Sequence, residues 1–221
     1  MTYIENIYIC LVAPLLVAMV CSRGRRFLSL AFIASGMTVC LLSSYISSYL
    51  AAVYEADQLE ATLEIAPVIE ETMKMLPVLL YLRVFQPKMS ISAGETIMVA
   101  VGFATLENAC YLLTNGASEF NRLLIRGFST GAMHIICATL TGLGLQDIWD
   151  RSALRMVGTV AMLSASIVFH GIFNILVSQT GAAATIGYAA PLLAGGMMLW
   201  LWNYRKKVRR MHGEKAGQGP L

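Results

Sequence analysis

Charge is scarce in this sequence. Only 13% of its 221 residues are Asp, Glu, Lys or Arg, against 57% hydrophobic residues, and the mean hydropathy is +0.66. A water-soluble domain of that composition would leave more apolar surface than its polar side chains could cover, so the bilayer is the expected solvent. Also absent is positive charge ahead of the first apolar run. Glu5 precedes that run and Arg23, Arg25 and Arg26 follow it, the reverse of a cleavable signal peptide, so the first segment reads as a retained helix. The five cysteines, Cys10, Cys21, Cys40, Cys110 and Cys137, are odd in number, scattered through apolar segments and without a Cys-x-x-Cys pair. They read as small packing residues rather than a disulfide framework or a thiolate metal site. There is no internal repeat, soluble linker or low-complexity run, and no His-Glu-x-x-His zinc motif.

What is present is a series of apolar stretches, at about 4–22, 27–53, 60–86, 92–114, 125–146, 156–178 and 184–204. The expected fold is all-α, a polytopic transmembrane helix bundle of about seven spans. Residues 1–210 form a single transmembrane domain in this reading, and 211–221 a flexible cytoplasmic tail. Six of the sixteen Lys and Arg residues lie at 205–215, and the connectors at Arg23, Arg25 and Arg26, at Arg83 and Lys88, and at Arg151 and Arg155 fall on the same side. Arg122 and Arg126 are on the other. By the positive-inside rule the N-terminus is extracytoplasmic and the C-terminus cytoplasmic. The basic tail reads as a cytoplasmic stop signal, and with no interleaved aromatic platform no nucleic-acid partner is expected. Gly127 and Gly131, four apart, are expected to let helices pack closely.

Against this background the ionisable residues inside the spans stand out, because each costs at least about 2.5–3.5 kcal/mol at the bilayer centre. The third span reads Pro67-Val-Ile-Glu70-Glu71-Thr-Met-Lys74-Met-Leu-Pro77. Lys74 follows Glu70 by four residues and Glu71 by three, within ion-pair reach of each. The two carboxylates point about 100° apart on a helix, which allows them different roles. The fourth span carries Phe103, Glu107 and Tyr111 on one face, with Asn108 beside Glu107. His134 is on the fifth, and His170 and Asn174 share a face of the sixth. Each alone has a plainer reading: an ion-paired packing contact for the acidic pair and Lys74, a hydrogen-bonded packing histidine for His134, interhelical glue for Asn174. Their joint depth argues for more. At 1.5 Å per residue, Glu107, His134 and His170 lie about 10–14 Å below the extracytoplasmic surface and Glu71 about 16 Å.

Two histidines and one or two carboxylates from different helices suit two kinds of water activation. In a metal-free site a glutamate, by preference Glu71, takes a proton from water while His134 or His170 and Asn174 stabilise the oxyanion. Lys74 compensates the charge of Glu70. In a zinc site His134, His170 and Glu107 or Glu71 bind the ion and a remaining glutamate is the base. Both readings stay open, with zinc required in one and no cofactor in the other, and the missing zincin motif tilts the balance toward the metal-free one.

The ordered set Glu70-Glu71-x-x-Lys74, Phe103-x-x-x-Glu107-Asn108, His134 and His170-x-x-x-Asn174 resembles the PrsW family of intramembrane proteases, over roughly residues 60–180. It is similar, more distantly, to the CAAX prenyl endopeptidase and bacteriocin-immunity superfamily. The resemblance implies cleavage of a single-span or membrane-anchored protein, such as an anti-sigma factor in envelope-stress signalling, in a bacterial or archaeal plasma membrane. It carries Glu70, Glu71, Glu107, His134 and His170 over as functional positions. Glu107 stands where the CAAX branch has His, which argues against prenyl processing. The competing classes are a proton- or ion-coupled transporter, expected to show paired repeats, and a non-catalytic adaptor or immunity protein.

Overall fold

A computed structural model describes residues 4–85, 93–115, 120–148 and 152–216. All described regular structure is helical: α1 (Ile4–Val20), α2 (Arg25–Val53), a single turn α3 (Gln58–Glu60), a π-helical turn (Ala61–Ile65), α4 (Ala66–Phe85), α5 (Ala93–Asn115), α6 (Phe120–Ile148), α7 (Ser152–Ser178) and α8 (Ala182–Ala216). Among the described residues there is no strand, and the all-α reading holds. Lys88, Glu119, Arg151 and residues 217–221, with part of the expected tail, lie outside the described residues, as do the side chains of Arg122, Arg155 and the basic cluster from Arg205 on.

Among the described residues, five stretches are long and apolar enough to cross a membrane: Arg25–Val53, Gly94–Thr114, Leu123–Gly142, Met156–Ser178 and Ala182–Trp200. They coincide with five of the expected spans. α1 is apolar but shorter, with 17 residues, and α4 carries Glu70, Glu71 and Lys74 in its middle. Large apolar side chains such as Leu193, Leu199, Val157 and Phe128 point outward. That is the surface expected of a protein whose solvent is hydrocarbon.

α2 packs against α1, α4 and α5; α6 packs against α5, α7 and α8; α4 closes the circuit by touching α7. The main apolar core, with Phe32, Met37, Val78, Leu82, Val99, Phe103 and Leu106, fills the space between α2, α4 and α5. A smaller one, Met133, Cys137 and Phe173, joins α6 to α7. The backbones of α2 and α5 touch. A Cβ at Gly36 would sit 2.0 Å from the Val99 carbonyl oxygen, and one at Gly102 would sit 2.0 Å from that of Ile33. Gly127 and Gly131 do not serve this purpose: a Cβ at Gly131 would meet nothing within 4 Å, and one at Gly127 only Asn108 Nδ2 at 4.0 Å. The close approach is therefore at Gly36 and Gly102, because small residues bring helices together only where another backbone faces them.

Candidate active site

The acidic helix is shaped before it reaches the site. Asp57 caps it in a capping box with Glu60, each side chain accepting from the other's backbone N–H. The next turn widens, and Ala66 N–H donates to Ala61 O, five residues back. In that register the donor for Thr62 O would be residue 67, but Pro67 has no N–H. Asn174 Nδ2, from α7, supplies the bond at 3.0 Å. A helix irregularity and an intramembrane asparagine thus explain one another.

One turn further on, four helices contribute to a continuous polar chain. Glu71 Oε1 accepts from Lys74 Nζ at 2.5 Å and from His170 Nδ1 at 2.8 Å. Lys74 Nζ also meets His134 Nδ1 at 2.7 Å, and His134 Nε2 meets Glu107 Oε2 at 2.6 Å. Arg126 then donates from Nη2 to Glu107 Oε1 at 3.3 Å and from Nη1 to Asn108 Oδ1 at 2.8 Å. Its guanidinium lies 3.4 Å over the Tyr111 ring. The inner members Glu71, Lys74, His134 and His170 are buried, His134 completely. Phe103 seals one side, 4.8 Å from Lys74 Nζ and 5.1 Å, centroid to centroid, from the His134 ring. The two imidazoles stand edge to face at 5.2 Å.

Hydrogen-bond direction assigns the histidine tautomers. His170 Nδ1 donates to the Glu71 carboxylate, which leaves the lone pair of Nε2 unused. An ammonium at Lys74 can only donate, so His134 Nδ1 accepts and its Nε2 carries the proton shared with Glu107. Glu70 Oε2 is buried 3.8 Å from His170 Nε2 and has no hydrogen-bond partner among the described residues. Two acceptors, a carboxylate oxygen and an imidazole nitrogen, thus face each other with no donor between them.

Such a pair accepts a cation. Glu70, His134 and His170 each offer one ligand atom, all within 4.8 Å of one another. One carboxylate and two imidazoles make a three-ligand zinc set, and Glu71 behind His170 is the usual carboxylate that orients a ligating histidine. The residues fit a metal on one condition: His134 Nε2 must exchange Glu107 for the ion, with its proton moving to Nδ1 and Lys74 turning wholly to Glu71. The carboxylate in this set is Glu70, whereas the sequence pointed to Glu107 or Glu71 with the same histidines. Glu107 instead bridges His134 and Arg126.

Of the residues singled out by sequence, Glu70, Glu71, Lys74, Glu107, His134 and His170 come together. Asn108 and Tyr111 flank them around Arg126, and Asn174 is bonded to the π-helical turn instead. In the sequence Arg126 serves only as one of two basic residues on the outer side. Its position just inside an apolar span, eight residues before His134, was the available signal.

The helices and this buried carboxylate–imidazole chain define a class, the integral membrane proteins with a polar reaction centre below the surface. Comparison with known proteins narrows it. A family model described as PrsW family intramembrane metalloprotease matches residues 23–202, and the chain belongs to that family. It is an intramembrane peptidase. No curated protein and no solved structure matches it.

Proposed function

We propose that the chain hydrolyses a peptide bond of a single-span or membrane-anchored protein, with water activated where α4, α5, α6 and α7 meet and the bond lying toward the extracytoplasmic face. The observation that carries the reading is Glu70 Oε2, buried and without a partner beside the bare His170 Nε2. An unsatisfied buried acceptor costs about 1–3 kcal/mol, more when charged, and stores a demand for a cation or a water.

Glu70, His134 and His170 would hold a divalent metal, zinc by their chemistry, and such an ion when bound polarises the peptide carbonyl and acidifies a water. Glu71 fixes the ring of His170, and Lys74 balances the Glu71 charge in a dry site. Glu107, with 29% of its side chain exposed, is the least enclosed of the three clustered carboxylates. It takes the proton of the attacking water and returns it to the leaving amine, while Arg126 holds its other oxygen.

One observation favours a second, metal-free reading. Both nitrogens of His134 are already engaged, by Lys74 and Glu107. In that case Glu70 takes the proton from water and passes it to His170 Nε2, 3.8 Å away, whose N–H then faces the oxyanion. An anti-sigma factor is the kind of substrate the family resemblance suggests, and family membership favours peptidase chemistry over transport.

The test uses purified protein in lipid nanodiscs with single-span reporter proteins. Glu71→Ala and His170→Ala should each lower cutting by about 10²–10⁴-fold. Cutting at the parent rate by both would overturn the site. Loss of cutting in chelator, restored by zinc and matched by one bound zinc per chain, selects the metal reading; indifference to chelator with no bound metal selects the other.

A further inference from the structure

Beyond Glu107 the site continues into a cavity of about 430 Å³ between α5 and α6. Leu112, Leu123, Leu124 and Phe120 form its apolar wall. Gly127 keeps it open, since a Cβ there meets nothing closer than 4.0 Å. Its polar edge is Asn108 and Arg126, the same two side chains that connect to Glu107. An occupant of the cavity therefore lies one side chain away from a carboxylate of the candidate site.

The two surfaces ask for different parts of one ligand. The wall suits a large apolar side chain such as Leu, Met or Phe, and the volume leaves room beside it for the neighbouring backbone. The guanidinium edge suits a peptide carbonyl. A transmembrane substrate must unwind before its backbone can be attacked, and each carbonyl released in an apolar setting needs a new donor. The Arg126 guanidinium carries five N–H groups, of which one goes to Asn108 and one to Glu107. A phospholipid could also offer Arg126 an ester or phosphate oxygen, but the direct link from this edge through Asn108 and Arg126 to Glu107 favours unwound peptide.

We propose that the α5/α6 cavity is the specificity subsite of this peptidase, receiving one large apolar side chain of the substrate next to the scissile bond, with the Arg126 edge binding a neighbouring backbone carbonyl. The proposal rests on the reading of Glu70, Glu71 and Glu107 given above.

The experiment is a cleavage profile of a single-span reporter library, an alanine-leucine host segment with a randomised window, cut by the full-length protein in nanodiscs and read by mass spectrometry. The parent should enrich large apolar residues at one position beside the cut. Gly127→Leu, which fills the cavity, should lower the ratio of large-residue to small-residue cutting at that position by about tenfold or more. Leu124→Ala, a truncation of an exposed side chain that leaves the fold intact, should shift the preference toward Trp. Preferences identical to the parent's in both variants would overturn the subsite. So would a preference that follows the acyl-chain length of the nanodisc lipids and ignores Gly127→Leu, which would put a lipid chain in the cavity. Glu71→Ala and His170→Ala are the separate control: cutting at the parent rate by both overturns the assigned active site, whereas the subsite is judged only on the position-specific ratio.

Discussion

Where α2 packs on α5, two backbones touch through Gly36 and Gly102 beside an apolar core. Where α4, α6 and α7 meet, the helices are joined by charged and aromatic-nitrogen side chains in a chain of short hydrogen bonds. The first region is held by shape, because removing a side chain lets carbonyl and Cα approach, and in hydrocarbon close packing replaces the hydrophobic drive. The second is held by mutual need, since no member can leave without stranding another in a dry setting. Phe103 belongs to both, next to Gly102 in sequence and under Lys74 and His134 in space. The contrast teaches that the apolar contact serves as the rigid wall against which the polar chain is aligned.

That comparison can be broken most severely at Lys74. Lys74→Met leaves the buried Glu71 facing His170 without its cation and should cost about 3–5 kcal/mol in reversible unfolding, with cutting lost. The double variant Glu71→Gln with Lys74→Met should recover most of that stability and none of the cutting. Recovery of both would make the polar chain purely architectural.

A smaller loss is expected on the apolar side. Gly102→Leu forces α2 and α5 apart and should cost about 1–3 kcal/mol, while Gly131→Ala, with open space around it, should change stability by no more than about 0.5 kcal/mol. Equal effects of the two in a thermal-unfolding comparison would show that the backbone contact holds nothing.

The smallest effect separates two roles for one residue. Asn174→Ala removes one hydrogen bond to Thr62 O and should cost about 1 kcal/mol of stability with cutting reduced only a few-fold. A loss of about 10²–10³-fold with unchanged stability would instead mean that Asn174 stabilises the oxyanion, as its spacing from His170 suggested.

The helices and the list of polar residues were legible in the sequence for different reasons. Apolar runs of membrane length stand out because every residue facing lipid must be apolar, and intramembrane Glu, Lys and His stand out because they violate that demand. Roles within the list were less legible. Gly127 and Gly131 have the spacing of a packing motif, but what they face is decided by another helix. Asn174 reads as a catalytic candidate from its spacing to His170, and its bond to the Thr62 carbonyl is visible only once the π-helical turn is seen. Arg126 looks like no more than an outer-side charge because its partners Asn108 and Glu107 are 18 and 19 residues away.

By itself, then, the sequence determined that this is a helical membrane protein with Glu70, Glu71, Lys74, Glu107, His134 and His170 inside it, because hydropathy and the cost of buried charge are properties of local composition. Only the tertiary structure decided which atoms meet. It paired His170 Nδ1 with Glu71, left Nε2 bare opposite Glu70, and gave Glu107 to His134 and Arg126. The physical reason is that a hydrogen bond depends on a few tenths of an ångström and on direction, and these are set by how neighbouring helices pack, not by residue spacing along any one of them.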